Sequence, residues 1–107
     1  MIVCLRTVDV PAEQRQGFLS WIEENRELRE ANGILAELVL EPSDGTGETV
    51  VITAWPSHAV FDAWIATPDR DRLTASETHQ AVSYHPITRY TVAGGYLNID
   101  ALAKEQS

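Results

Sequence analysis

The first strand sets the problem that this chain must solve. Ile2 to Val8 is rich in β-branched residues and reads as a strand. Its alternation puts Ile2, Cys4, Arg6 and Val8 on one face and Val3, Leu5 and Thr7 on the other. Both faces are largely apolar, so both need cover. With 107 residues there is room for one domain. Helices that cover one side of a single sheet leave the other side wet. An apolar patch of that size marks an interface.

The rest of the chain supplies the helices. Pro11 opens a helix, since proline is tolerated at the first helical position. Phe18, Trp21, Ile22 and Leu28 form one apolar stripe, with Arg15, Glu23, Arg26, Glu27 and Glu30 largely off it. Asn32-Gly33 ends that helix, Gly33 serving as a left-handed cap. Residues 34–41 and 49–55 read as two strands joined by the turn sequence Pro42-Ser43-Asp44-Gly45-Thr46-Gly47. Ser57 caps a short helix carrying Val60, Phe61, Trp64 and Ile65, and Thr67-Pro68 starts another through Leu73. Residues 75–82 read as helix, then loop. Residues 87–96 read as the fourth strand, bent or closely approached at Gly94-Gly95. A polar tail follows from Asn98.

This order, β-α-β-β-α-β, is the split βαβ or ferredoxin-like pattern of the α+β class, with a four-stranded antiparallel sheet. Residues 1–97 form the domain and 98–107 the tail. Two such sheets packed face to face would cover the open side, so a twofold homodimer is expected.

Charge narrows the partners. Sixteen acidic residues against eight basic ones give a net charge of −8, which argues against nucleic acid and against an anionic membrane surface. No apolar run approaches the roughly 18 residues of a membrane span. The single cysteine permits no intrachain disulfide, and a reducing cytoplasm is the simple expectation. Three dispersed histidines without a cysteine or carboxylate pattern predict no metal site. No phosphate loop, dinucleotide fingerprint or nucleophile elbow is present.

The stretch Thr53-Ala54-Trp55-Pro56-Ser57-His58-Ala59-Val60-Phe61-Asp62-Ala63-Trp64 resembles the hallmark segment of the antibiotic biosynthesis monooxygenase superfamily. There a strand ends in Trp, a Ser-containing cap follows, and a short helix carries an aromatic. Asn32-Gly33-Ile34-Leu35 is similar to that family's helix-Gly-strand junction, and the resemblance spans roughly residues 1–97. It implies a dimeric α/β barrel. It further implies one of three activities: oxygenation of polycyclic aromatic phenols without metal or flavin, quinol oxygenation, or heme degradation. Trp64 is similar to the helix tryptophan that heme-degrading members place over their cofactor. Those members also carry an Asn on the first strand and a heme-ligand His about ten residues after the Trp. Arg6 and Thr74 stand at those places here, with His79 about a turn later. Phenol oxygenases tend to have polar side chains where Val51 and Phe61 stand.

Candidate site residues follow from both lines. Arg6 is a charge in the middle of an apolar strand, and a buried guanidinium is costly unless paired. It binds an anionic oxygen of a phenolate, quinone or carboxylate or stabilises a developing oxyanion, or else it pairs with Glu37 on a neighbouring strand or reaches solvent at a sheet end. His79 is a general base or an exposed helix-end histidine. Trp55 and Trp64 form an aromatic wall for a planar ligand or simply fill the core. Phe18, Trp21 and Phe61 read as core or pocket lining. Tyr84, before Pro86, closes over a cavity. His58 is solvated, and Cys4 acts as a buried small hydrophobe.

The expected function is cofactor-independent oxygenation of a small aromatic phenol or quinol by a homodimer. The alternatives are a heme-binding or heme-degrading protein, using Trp64 and a displaced His79, and a non-catalytic small-molecule-binding dimer.

Overall fold

The computed structural model describes residues 1–45 and 47–96, so the tail expected from Asn98 lies outside the described residues. The strands are β1 (Ile2–Asp9), β2 (Ala36–Leu40), β3 (Thr49–Trp55), β4 (Ser83–Tyr84) and β5 (Thr88–Thr91). The helices are α1 (Arg15–Glu24), α2 (Arg26–Ala31), α3 (His58–Ile65), α4 (Pro68–Thr74) and α5 (Glu77–Gln80). Every strand pair is antiparallel. β2 and β3 form the expected hairpin, and β1 lies in the sheet interior, flanked by β3 on one side and by β4 and β5 on the other. The fold is α+β and ferredoxin-like. None of its described helices is long and apolar enough to cross a membrane.

Five strands replace the expected four, and the reason is local. β4 pairs Asp9 with Ser83 and Val8 with Tyr84, whereas β5 pairs Leu5 with Thr88 and Ile2 with Thr91. Between these stretches, residues 85–87 face only Arg6 and Thr7, one residue too many for a regular ladder. The edge of the sheet is therefore one strand broken by a bulge, at the place where Pro86 has no N–H to donate. The His85 N–H still bonds the Thr7 carbonyl at 3.1 Å. β5 ends before Gly94-Gly95, and open space surrounds both glycines, so the expected close backbone approach there does not occur.

The long first helix is also divided. A 3-10 turn over Ala12–Gln14 follows Pro11, and α1 stops at Asn25. The Asn25 backbone N–H and side chain both donate to the Trp21 carbonyl, at 3.2 and 2.8 Å, and Arg29 donates to the Ile22 carbonyl at 3.1 Å. α2 then restarts with the same residue as its N-cap.

The core lies on the helix-covered face of the sheet and splits into two clusters. One joins Ile2 and Cys4 to Trp55, Phe61 and Trp64. The other joins Val8 to Phe18 and Val82. On the opposite face the register pairs Val3 with Ala54, Leu5 with Ile52 and Thr7 with Val50 of β3, and sets Leu38 and Leu40 of β2 against Ile52 and Val50. No described helix covers that face. Leu38 is 37% exposed, Leu40 43% and Tyr90 54%.

Gly33 fixes the junction between α2 and β2. Its φ is 103°, and an added Cβ would lie 2.5 Å from Val60 Cγ1 of α3. Backbone conformation and packing both demand glycine there. Gly33→Ala should destabilise the fold by about 2–4 kcal/mol in urea denaturation.

Candidate functional site

Residues of both core clusters surround a cavity of about 120 Å³ between the helices and the sheet. All eight residues singled out in the sequence line it. Trp55, Phe61 and Trp64 form one wall: Trp55 lies 5.1 Å from Phe61 and 6.3 Å from Trp64 between ring centroids. Trp55 is only 1% exposed, and its indole N–H donates to Thr53 Oγ1 at 3.0 Å. Core filler and cavity wall are thus one and the same set of rings.

The opposite wall is a five-layer stack with a cation at each end. The Arg29 guanidinium sits 5.1 Å from the Trp21 ring, and Trp21 is 5.7 Å from His79. His79 lies nearly parallel to Tyr84 at 4.3 Å, and Arg6 covers the other side of Tyr84 at 5.1 Å. Phe18 backs Trp21 at 6.2 Å. Cation–π attraction holds each end.

The edge bulge positions Arg6. Arg6 Nε donates to the His85 carbonyl at 2.9 Å, which orients the guanidinium over Tyr84. The alternative of an Arg6–Glu37 ion pair is wrong. Glu37 pairs instead with Arg29, at 3.5 Å, and Arg29 also donates to the Ile22 carbonyl at 3.1 Å. Among the described residues no carboxylate pairs with Arg6. Burial, and then the nearby charge of Arg70, lower its pKa from the usual value.

Two helix caps carry functional side chains into the cavity. Thr67 Oγ1 accepts the Arg70 N–H at 3.2 Å, and Ser76 Oγ accepts the His79 N–H at 3.1 Å. His79 is half-buried, not the exposed helix-end residue of the alternative reading. Burial lowers its pKa most, and Arg70 and Arg6 lower it further against an opposing hydrogen bond to the Thr74 backbone. The ring is therefore neutral at neutral pH. A neutral imidazole keeps one ring nitrogen as an acceptor. The Tyr84 hydroxyl is buried and has no hydrogen-bond partner among the described residues. Burial pushes its pKa up to about 12, so it stays protonated and acts as a donor.

Sequence reasoning missed Arg29 and Arg70 and did not place Glu37 in the cavity. Arg29 is 7% exposed, the one buried charged residue described. Its signal was available: it follows Ile22 by seven residues, on the apolar stripe itself. Arg70 likewise precedes Leu73 by three. With both included, three arginines face one carboxylate, whose own pKa burial raises. A chain of net charge −8 thus holds a positive cavity.

Cys4 also lines the cavity, whereas the other reactive groups lie outside it. Cys4 is buried and burial raises its thiol pKa, although Arg89 opposes this. His58 is exposed beside Arg89. Asp9, Glu48 and His85 bring three exposed ligand atoms within 4.8 Å, a grouping from three distant segments that no sequence spacing announces.

Residues 1–76 match the family model for antibiotic biosynthesis monooxygenase. The chain belongs to that family. No curated protein sequence matches it significantly. Among solved structures it is similar to the heme-degrader MhuD of Mycobacterium tuberculosis with two hemes bound, at 20% identity and a TM-score of 0.71, covering 90% of this chain and 99% of that one. It is also similar to a mutant of SnoaB, a cofactor-independent oxygenase of Streptomyces nogalater, at 17% identity and a TM-score of 0.72, covering 88% and 94%. At these identities the likeness establishes the shared fold.

As arranged, the cavity residues offer heme no free axial ligand. His79 stacks on Tyr84, so the stack would have to break to free it as an axial ligand.

Arginine variants should separate the two charge roles. Arg6→Met removes a half-buried charge with no carboxylate partner and should leave thermal stability unchanged or raise it. Arg29→Met strands the Glu37 carboxylate and should cost about 3 kcal/mol at neutral pH. The Glu37 pKa is raised in the fold, so that penalty should be absent below the ordinary carboxyl pKa of 4.5 and grow as pH rises through the folded value. Melting curves across pH read both signs.

Proposed function

We propose that the protein is a homodimeric, cofactor-independent monooxygenase acting on an electron-rich aromatic phenol or quinol bound as its anion. One observation carries this reading: unpaired Arg6 and neutral His79 line the same aromatic-walled cavity. Such a site favours a flat, acidic ring over an apolar or cationic ligand. The lack of a free axial ligand weighs against the heme reading.

The roles follow from the geometry. Trp55, Phe61 and Trp64 offer the ring an aromatic wall, opposite the stack that includes Trp21, with Phe18 behind it. Arg6 holds the developing phenolate oxygen. The free nitrogen of His79 takes the substrate proton. The Tyr84 hydroxyl donates a hydrogen bond and does not act as the base. The substrate itself reduces oxygen. A ring carbon that carries two hydrogens in the keto form gains one oxygen atom as a carbonyl. The second oxygen atom leaves as water with those two hydrogens.

The open face of the sheet supports a homodimer, since Leu38, Leu40 and Tyr90 would otherwise stay in water. A cytoplasmic setting is part of the proposal and agrees with the buried free thiol of Cys4.

Oxygen uptake with an anthrone-type phenol should be catalysed. His79→Gln should lower the rate roughly 100-fold or more. The wild-type rate should fall as pH drops below the ordinary histidine value of 6.5, because His79 takes up its proton only there. No uptake, together with a saturable Soret shift on hemin titration, would favour heme binding. Silence in both would favour a non-catalytic binding dimer. Light scattering should give about twice the 11.9 kDa protomer mass, and Leu38→Glu should reduce it to one protomer.

A further inference from the structure

The cavity holds more positive charge than a single phenolate needs. Arg6 enters from the sheet and Arg70 from α4. They are close enough for the charge of Arg70 to act on Arg6, and no carboxylate among the described residues pairs with either. The nearest acid on α4 that does form an ion pair, Asp69, pairs with Arg72. Two like charges held together in a half-buried site repel unless an anion lies between them. Beside them the buried Tyr84 hydroxyl lacks an acceptor. A buried donor of this kind calls for a ligand oxygen or water. The space is narrow and bounded by aromatic rings, which suits a planar anion in the plane of a ring better than a tetrahedral one.

We propose that Arg70 is a specificity residue and that the substrate class is an aromatic acid. Its phenolate oxygen sits on Arg6, its ring carboxylate sits on Arg70, and the Tyr84 hydroxyl donates to one of these oxygens. The inference rests on the proposed function only in placing the ligand in this cavity. It adds a second anionic group that a simple phenol lacks. The contribution of Arg70 is to binding, and nothing in the chemistry of oxygen transfer requires it.

Calorimetric titration of the full chain with salicylate and with phenol tests this directly. Salicylate should bind at least about tenfold more tightly, the difference of one charge-assisted contact. Arg70→Met should remove most of that ratio, and Arg70→Lys should restore part of it. Arg72→Met, an exposed charge change on the same helix, should leave the ratio as it is. Circular dichroism of each variant checks that it folds. Equal binding of the two ligands by the wild type, or an unchanged ratio in a folded Arg70→Met, would overturn the proposal. If Arg70→Met does not fold, an unchanged ratio in Arg70→Glu or in wild type at high salt does so. The oxygen-uptake assay fails independently: a salicylate preference without uptake sinks the monooxygenase and keeps the aromatic-acid site. Uptake with no such preference does the reverse.

Discussion

The hydrogen bond from Arg6 Nε to the His85 carbonyl, 2.9 Å long, bridges the point where the edge of the sheet breaks. A regular ladder would use that carbonyl between strands. The bulge at residues 85–87 and the missing N–H of Pro86 release it, and a charged side chain on the central strand takes it up. The orientation of the site, more than the stability of the fold, depends on this contact. It tips the guanidinium over Tyr84, Tyr84 stacks on His79, and His79 meets Trp21. Sheet, edge strand, α5 and α1 thus meet in one column of rings. A charge inside an otherwise apolar strand is the reason for that column, since it cannot be buried without partners.

The two ends of the column carry different kinds of arginine. Arg29 is almost fully buried and has a carboxylate, a carbonyl and an indole face around it. Arg6 is half-buried with a carbonyl and a phenol face, and no carboxylate. The first arrangement satisfies its charge within the fold. The second leaves charge directed into the cavity, where Arg70 adds to it. Burial first, and then the field of Arg70 and Arg6, keep His79 neutral. A neutral base beside unpaired cations is the electrostatic preparation that proton removal from an acidic phenol requires.

The family membership and the fold are shared with enzymes of unlike chemistry, so the side chains on the fold carry the functional argument. Two caps of the same design, Thr67 and Ser76, set Arg70 and His79 at the third position of short helices. Short helices have little stability of their own. Packing of Leu73 and Val82 against the two core clusters holds these segments in place. Site geometry is thus coupled to the same apolar contacts that stabilise the domain.

Sequence alone was enough for the element order, the hairpin, the caps at Ser57 and Thr67, the placement of β1 in the sheet interior and the apolar character of both its faces. These follow from local periodicity and turn chemistry. It also named eight of the residues around the cavity, because aromatics and a stray charge stand out against their surroundings. Three things needed the folded chain. The break at Asn25 and the split edge strand are decided by where free carbonyls find donors. Glu37 pairs with Arg29, not Arg6, because side chains far apart in sequence select partners by position in space. The charge balance of the cavity is likewise a tertiary property. Arg29 falls on the apolar stripe of its helix in the sequence, but only packing shows that its charge meets Glu37 across the core.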